Sequence, residues 1–162
     1  MSNSNANEIP RTQLKQISLF AEFTDPELEG LLDLVELVHF KNGQCIVKQD
    51  EKGDCMFVLL DGSVKVVHRR GERTFELATL KSGEFFGELA LVDAGTRAAD
   101  VEAIGDCTLM KIEHSALRAI AGVYPSAAFK FLVAVGRMLV VRMRRGNQKY
   151  IDSLLAAAPS QD

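Results

Sequence analysis

One segment of the chain combines a glycine, a carboxylate and an arginine at a spacing that could bind an anion. The segment, residues 83–101, reads GEFFGELALVDAGTRAADV. It predicts a short helical turn over residues 88–92, whose first backbone N–H groups have no partners within the turn. Gly87 would let an anion approach that backbone closely. Arg97 follows on the next strand, and its planar guanidinium suits paired, charge-assisted hydrogen bonds to a phosphate.

Glu88 needs a different partner, because a carboxylate aimed at a phosphate would repel it. Its position makes sense if it accepts hydrogen bonds from a neighbouring hydroxyl, as on a ribose, while Arg97 balances its charge. A ligand with a phosphate beside a sugar hydroxyl would satisfy both side chains. The alternative is an internal Glu88–Arg97 ion pair without a ligand, and the spacing alone leaves both open.

The elements around this segment have the pattern of a small antiparallel β-structure. Glycines recur 9 to 12 residues apart, and the runs between them are rich in β-forming residues. Short strands at this spacing indicate a sandwich or barrel. The basic run HRRGER at 68–73 is interpreted as a hairpin tip rather than a nucleic-acid patch. The glycines are 43, 53, 62, 71, 83, 95 and 105, and the predicted strands cover 56–60, 63–67, 74–80, 99–104 and 107–112.

Helices are predicted on both sides of the strands. Apolar residues three and four apart indicate two short helices between residues 14 and 40, the second starting at a capping box of Thr24 and Glu27. A short helix is expected at 115–122, and a long one that begins near Pro125 and ends at Gly146. The fold class is therefore mainly β with flanking helices (α+β), an antiparallel double-stranded β-helix or jelly roll.

The long helix is apolar nearly all round, since ten of the thirteen residues at 129–141 are apolar. Such a helix has to be covered on more than one side. We expect a homodimer through this helix, because one set of residues follows the seam spacing of a two-helix contact. The alternative is that Ile151, Leu154 and Leu155 fold back and cover the second side. The seam consists of Phe129, Leu132, Gly136, Leu139 and Met143.

The domain organisation follows from these elements. We expect a disordered tail at 1–13, the β-structure with its N-terminal helices at 14–122, a lid or dimerisation helix at 123–146, and a tail at 147–162 that could hold a short helix. Sixteen residues after Gly146 are too few for a helix-turn-helix, so no DNA-binding domain is expected. The N-terminus lacks an apolar signal region, no stretch is long enough to span a bilayer, and the three cysteines form no CxxC. A soluble, cytoplasmic protein is expected.

The motif FGELAL at 86–91, followed by RAADV at 97–101, resembles the phosphate-binding cassette of the cyclic nucleotide-binding domain family. That family includes bacterial catabolite activator proteins, regulatory subunits of cyclic-AMP-dependent protein kinase and cyclic-nucleotide-gated channels. The resemblance covers about residues 14–145, including LDGSV at 60–64 and the step from Tyr124 to Pro125 into the long helix.

The resemblance implies a ligand and a role for each matching residue. Arg97 would pair with the cyclic phosphate and Glu88 would bond the ribose 2′-hydroxyl. Backbone groups of Gly87, Leu89, Ala90 and Ala98 would hold phosphate or sugar, with Phe86 and Ala99 beside them. Apolar strand residues would contact sugar and base, or serve as plain core, and a residue of the long helix would cap the base. The strand residues are Val66, Leu77 and Ala78, and the helix candidates are Arg142, Met143 and, as an alternative, Met138.

Three positions of the motif bear on affinity and on the base. Thr96 stands where the family usually has proline, and Asp100 where threonine or serine is common. A carboxylate at Asp100 that faced the phosphate would weaken binding, and strand alternation does not settle its direction. Ala98, directly after the arginine, resembles the cyclic-AMP-selective members, so cyclic AMP is expected over cyclic GMP.

The function indicated is a stand-alone sensor that binds a cyclic nucleotide and acts on a separate protein effector. The ligand would move a hinge at 119–124 and reorient the long helix. The alternative is a ligand-free dimerisation or docking scaffold, for which Asp100 is the favouring feature. An enzyme is not expected, because His39, His68 and His114 are isolated and form no metal-ligand spacing. No metal or cofactor is expected.

Overall fold

Six antiparallel strands form the centre of the molecule in a computed structural model that describes residues 6–93 and 95–158. Four strands run in the order β1-β6-β3-β4, while β2 pairs with β6 and β5 pairs with β3. Every pairing is antiparallel. The predicted β-fold with flanking helices is confirmed. The strands are β1 (Glu36–Phe40), β2 (Cys45–Val47), β3 (Cys55–Arg70), β4 (Arg73–Lys81), β5 (Phe85–Phe86) and β6 (Asp100–Glu113).

The two central strands, β3 and β6, are each longer than predicted. Each joins two predicted strands into one, and the pairing between them shifts register on both sides of Asp61. Gly62 lies at this irregularity with a φ of 92°, and a Cβ atom there would lie 2.7 Å from the Asp106 carbonyl oxygen and from the Cys107 Cβ. Gly62 therefore allows the two strands to approach closely at a bulge instead of ending a strand.

Helices pack at one end of the sheet, and they begin earlier than the sequence predicts. A 3₁₀ turn at Ala6–Glu8 is followed by α1 (Arg11–Lys15), α2 (Asp25–Leu32), α3 (His114–Val123) and α4 (Pro125–Ala157). The expected disorder at 1–13 therefore does not hold from residue 6 onward, because Ala6 and Ile9 are buried in the helical core. Residues 1–5 of that expected tail lie outside the described residues.

The capping box at the start of α2 is confirmed. The Thr24 hydroxyl accepts a hydrogen bond from the Glu27 backbone N–H at 3.4 Å, and Glu27 Oε2 accepts one from the Thr24 N–H at 3.0 Å. Glu27 is buried and also binds the Lys130 ammonium of α4, with 2.9 Å between Nζ and Oε2. Burial disfavours the charged carboxyl, but the Lys130 and Thr24 hydrogen bonds outweigh it and lower the pKa of Glu27. This contact fixes the first half of α4 to α2.

The long helix α4 passes through Gly146, where the sequence predicts its end. Gly146 is absent from the residues with positive φ, so it does not form the left-handed cap expected there. A single glycine among good helix formers costs only about 1 kcal/mol, which the surrounding turns outweigh. The region expected to be a tail is therefore helical up to Ala157. Residues 159–162 lie outside the described residues.

Only the first half of α4 contributes to the core. Its buried residues are Ala127, Ala128, Phe131 and Val135, whereas all residues from 143 to 157 are exposed. The proposed fold-back of Ile151, Leu154 and Leu155 does not occur, because these side chains are part of that exposed helix. Within residues 6–93 and 95–158, no helix has both the length and the apolar content to cross a bilayer.

Candidate functional site

A cavity of about 390 Å³ opens between the strands, the segment 86–101 and α4. This volume lies within the usual range for small-molecule sites. The cavity brings together most of the residues that the sequence predicts for a ligand site, from four separate parts of the chain. They are Val66, Ala78, Phe86, Gly87, Glu88, Leu89, Ala90, Arg97, Ala98, Ala99 and Arg142.

The short turn that carries the glycine and the carboxylate forms as predicted. Gly87 has a φ of 79°, which favours glycine, and a 3₁₀ turn follows at Glu88–Leu91. The Ala90 N–H donates to the Gly87 carbonyl oxygen at 3.2 Å, so this amide is used within the turn. Phe86, just before the turn, stacks on Phe57 with ring centroids 5.2 Å apart. The stacked rings fix the start of the turn against β3.

Arg97 is half-buried and is held by carbonyl groups instead of by a carboxylate. Its Nη2 donates to the Cys55 carbonyl oxygen at 2.7 Å, and its Nη1 donates to the Gly87 carbonyl oxygen at 3.3 Å. Among residues 6–93 and 95–158, no carboxylate forms an ion pair with it. The guanidinium therefore brings an uncompensated positive charge to the cavity wall.

The carboxylate of Glu88 pairs with the long helix instead of with Arg97. Arg142 Nη1 lies 3.6 Å from Glu88 Oε2, and Arg142 also donates to the Phe85 carbonyl oxygen. Its guanidinium carbon lies 4.5 Å from the centroid of the Phe85 ring. The internal Glu88–Arg97 ion pair is therefore not formed, and the idea that Arg97 balances Glu88 is wrong. Arg142, from the distant helix α4, balances the charge of Glu88 instead.

Three predicted residues lie outside the cavity. Leu77 is the extra residue at a β-bulge, since Val66 pairs with Ala78 and Val67 with Glu76, and it is 53% exposed. Met143 is 65% exposed on α4. Met138 is partly buried and packs against the helical core. Leu77 directly precedes the cavity residue Ala78 on β4, and adjacent strand residues point to opposite faces. Met143 directly follows Arg142 and is rotated about 100° from it around the helix. Met138 lies one turn before Arg142 and packs into the core instead of lining the cavity.

The direction of Asp100, which the sequence leaves open, is away from the cavity. Its side chain is buried, Oδ1 accepts from the Gln49 N–H at 2.7 Å, and Oδ2 lies 2.5 Å from Arg69 Nε. The Gln49 N–H and then Arg69 lower the pKa of Asp100 by stabilising its charged form. Asp100 therefore acts as a structural anchor of β6, and it no longer favours the ligand-free scaffold.

Several cavity residues were missed from the sequence. The apolar ones share a face with predicted residues: Leu80 lies two residues after Ala78 on β4, and Val47 pairs with Val101 across β2 and β6. Strand alternation could have found Leu80, whereas the β2–β6 pairing has no local signal. The full set is Val47, Leu80, Asp93, Gly95, Thr96 and Val101.

The three histidines contact the polypeptide itself. His39 Nδ1 lies 3.0 Å from the Thr108 hydroxyl, His68 Nδ1 lies 3.1 Å from the Ala98 carbonyl oxygen, and His114 Nδ1 lies 2.8 Å from the Leu91 carbonyl oxygen. The last contact ties the start of α3 to the turn at Glu88–Leu91. In the part of the chain that the structure describes, no cluster of three or more His, Cys, Asp or Glu residues could hold a metal.

Comparison with known proteins points to one family. The family profile described as "Cyclic nucleotide-binding domain" matches residues 37–124. The cGMP-dependent protein kinase egl-4 of Caenorhabditis briggsae is 36% identical over 90 residues, which are 54% of this chain and 12% of the kinase. The chain thus corresponds to a small part of that relative's length.

Two solved structures have the same architecture. The regulatory domain of Toxoplasma gondii PKA, in a co-crystal with cAMP, is 26% identical with a TM-score of 0.65, over 78% of this chain and 48% of that chain. A cyclic nucleotide-binding domain from Methylobacillus flagellatus has a TM-score of 0.77 over 93% of this chain and 84% of its own, at 20% identity. The second similarity supports the fold alone.

Proposed function

The chain belongs to the cyclic nucleotide-binding domain family, and on that premise we propose that it is a sensor module that binds a cyclic nucleotide in the cavity beside Arg97. The observation that carries the proposal is the guanidinium of Arg97, which has carbonyl partners but no carboxylate partner in the described chain. A cyclic phosphate carries a single negative charge, which one guanidinium matches. Removing that charge from water is favourable only with such a partner.

The remaining cavity residues fit the other parts of a cyclic nucleotide. Glu88 lies in the same cavity as Arg97 and can accept a hydrogen bond from the ribose 2′-hydroxyl. Val66, Ala78 and Leu80 form an apolar wall that suits the sugar and the base. The ligand is therefore bound by a charged group at one end and by apolar contact at the other.

We propose that cyclic AMP binds more tightly than cyclic GMP. Ala98, directly after Arg97, has a methyl group where a hydroxyl would suit the 2-amino group of guanine. Among the similar proteins, one is a cGMP-dependent kinase and another was crystallised with cAMP, so the two ligands have to be compared directly.

Calorimetry on protein freed of bound nucleotide by unfolding and refolding tests the proposal. We expect one site per chain for cyclic AMP, weaker binding of cyclic GMP, and much weaker binding of 5′-AMP, whose open phosphate has a different shape and charge. The absence of heat with both cyclic nucleotides, together with unchanged thermal midpoints at millimolar ligand, would overturn it.

Ligand binding in the cavity can change the position of α4 through Arg142. This residue is the last of α4 that is not exposed, and it contacts Glu88 and Phe85 at the cavity. A ribose hydroxyl that bonds Glu88 changes the free energy of the Arg142 contact, and with it the equilibrium position of the helix. His114 adds a second link between the turn and α3. The output is the position of α4, which a separate protein effector would recognise.

Replacing Arg142 by alanine should loosen the middle of α4, around the lost contacts. We expect amide hydrogen exchange within residues 136–145 to become about tenfold faster without ligand, because an ion pair, a hydrogen bond and a cation–π contact are lost together. Arg144→Ala is the matched control, since Arg144 is exposed on the same helix. Equal rates of amide hydrogen exchange in the two variants would contradict the role of Arg142 in connecting α4 to the cavity.

We further propose that α4 forms a homodimer. Large apolar side chains remain exposed along it, with Phe129 at 70%, Leu132 at 46%, Val140 at 44% and Met143 at 65%. Leu139, also expected in the seam, is partly buried against the chain's own core. A second copy of the same helix would cover this surface with matching side chains at coiled-coil spacing.

Sedimentation of the intact protein tests the dimer. We expect the wild type to sediment as a dimer and Phe129→Glu as a monomer, because a carboxylate would be buried in the seam. Phe75→Glu is the control, since Phe75 is 45% exposed on β4 and lies outside the proposed seam. A monomeric wild type at its highest soluble concentration would contradict the dimer.

The state of the three cysteines bears on the cellular compartment. Cys45, Cys55 and Cys107 are all free, and the last two are buried, which is compatible with the reducing environment of the cytoplasm. We propose a cytoplasmic module without catalytic activity. Its role is to convert the concentration of a cyclic nucleotide into a position of α4.

A further inference from the structure

Gly53 lies directly against the side chain of the phosphate-binding candidate Arg97. A Cβ atom at residue 53 would lie 2.5 Å from Arg97 Nη2 and closer still to Nε and Cζ. Real Cβ atoms do not tolerate such distances, so the guanidinium would have to move. The backbone of Gly53 is not in the left-handed region, so its conformation alone does not require glycine. The missing side chain instead makes room for Arg97.

The backbone of Arg97 cannot shift to relieve such a clash. The Arg97 N–H donates to the Glu51 carbonyl oxygen at 2.8 Å, and the Asp50 N–H donates to the Arg97 carbonyl oxygen at 2.8 Å. Lys52 and Thr96 form a β-bridge next to these two hydrogen bonds, on the side towards Gly53. The loop that contains Gly53 and the segment that contains Arg97 are thus fixed to each other, and only the flexible end of the arginine side chain can respond.

The same guanidinium that lies against Gly53 is oriented by hydrogen bonds to backbone carbonyl groups. Nη2 donates to the Cys55 carbonyl oxygen at 2.7 Å and lies 3.4 Å from the Cys55 Sγ. On the other side, Nη1 donates to the Gly87 carbonyl oxygen. A methyl group at residue 53 would push the guanidinium off this set of acceptors. The positive charge would remain near the cavity, but the N–H groups would no longer point in the direction that the wild-type hydrogen bonds fix.

We propose that Gly53 is a positioning residue for the phosphate site, which aligns Arg97 by leaving space for its guanidinium. This inference rests on the proposed function, because alignment matters only if a phosphate binds there. Any side chain at residue 53 weakens cyclic nucleotide binding without unfolding the protein, since the group that must move is the end of a flexible side chain. Gly53 thus contributes to affinity without touching the ligand.

The affinity test compares Gly53→Ala with Gly146→Ala. An added Cβ at Gly146 meets open space within a regular helix, so this control should bind as the wild type does. We expect Gly53→Ala to raise the Kd for cyclic AMP about tenfold or more, through weaker charge-assisted hydrogen bonds. Its thermal midpoint should change by less than about 4 °C. An unchanged Kd, where the wild type binds, would overturn the proposal.

A double-mutant cycle separates positioning from a general structural effect. In the Arg97→Ala background, Gly53→Ala should have no further effect on the Kd, because the guanidinium through which it acts is gone. Equal losses in both backgrounds would show that Gly53 acts by another route and would overturn the proposal.

A ligand-free measurement keeps this inference distinct from the proposed function. In ¹⁵N-labelled protein, the Nε–Hε signal of Arg97, assigned by its loss in Arg97→Ala, reports the position of the guanidinium. We expect this signal to shift or broaden in Gly53→Ala and to stay in place in Gly146→Ala. If it shifts but the wild type binds no cyclic nucleotide, the proposed function fails while the contact with Arg97 stands. If it does not shift, the positioning role is wrong.

Discussion

Replacing Arg97 by alanine is expected to weaken binding of cyclic AMP at least 100-fold. The guanidinium can give the phosphate two hydrogen bonds, and bonds of this charge-assisted kind contribute about 1.5–3 kcal/mol each. Two such bonds together contribute about 3–6 kcal/mol. A 100-fold loss corresponds to about 2.7 kcal/mol, so 100-fold is the smallest loss that we expect. The effect should exceed that of any other single side chain, because no other positive charge in the described chain faces the cavity without a carboxylate partner.

Two further variants make this prediction specific. Arg97→Lys should retain part of the affinity, because the charge remains but the planar, two-pronged donor is lost. Arg118→Ala removes the same charge from the exposed side of α3 and should bind normally. The Kd values come from calorimetric titration, or from competition with a fluorescent analogue where binding is weak. Wild-type affinity in Arg97→Ala would remove the basis of the assignment.

Replacing Glu88 by glutamine is expected to weaken binding of cyclic AMP about tenfold or more. The ribose 2′-hydroxyl donates to a charged carboxylate in the wild type, and such a bond is about twice as strong as one to a neutral amide oxygen. Glu88 is mostly buried, with a side chain that is 12% exposed, so water does little to screen the difference. The substitution keeps the shape of the side chain and removes its charge.

The ligand provides the matched control for Glu88. The wild type should bind 2′-deoxy cyclic AMP more weakly than cyclic AMP. Glu88→Gln should discriminate much less between the two ligands, because the bond from the 2′-hydroxyl to the glutamine is weaker than the bond to the glutamate. Glu72→Gln, at the exposed hairpin tip, should leave both affinities unchanged. Full discrimination by Glu88→Gln would show that the 2′-hydroxyl has another partner.

The parts of the structure that the sequence predicts well are those with local signals. The capping box of Thr24 and Glu27 and the turn after Gly87 each form as predicted, because the residues that determine them are neighbours in sequence. The cavity residues at 86–90 and 97–99 follow from the same short motif. Their arrangement depends on backbone conformation at one glycine and on one short turn, both of which a motif can specify.

The parts that could not be predicted depend on contacts between distant segments. The pairing of Arg142 with Glu88 and of Arg69 with Asp100 joins elements whose relative placement no spacing rule gives. The bulge at Leu77 adds one residue to β4 relative to β3, and no local pattern in the sequence places it there. The role of Gly53 was likewise invisible, because in sequence it is one of several regularly spaced glycines.

A crystal structure of the protein grown with cyclic AMP shows directly whether Arg97 binds the cyclic phosphate. We expect the cyclic phosphate within hydrogen-bond distance of the Arg97 guanidinium, and the ribose 2′-hydroxyl bonded to Glu88. A nucleotide bound elsewhere, with Arg97 still bonded only to the carbonyl oxygens of Cys55 and Gly87, would contradict it.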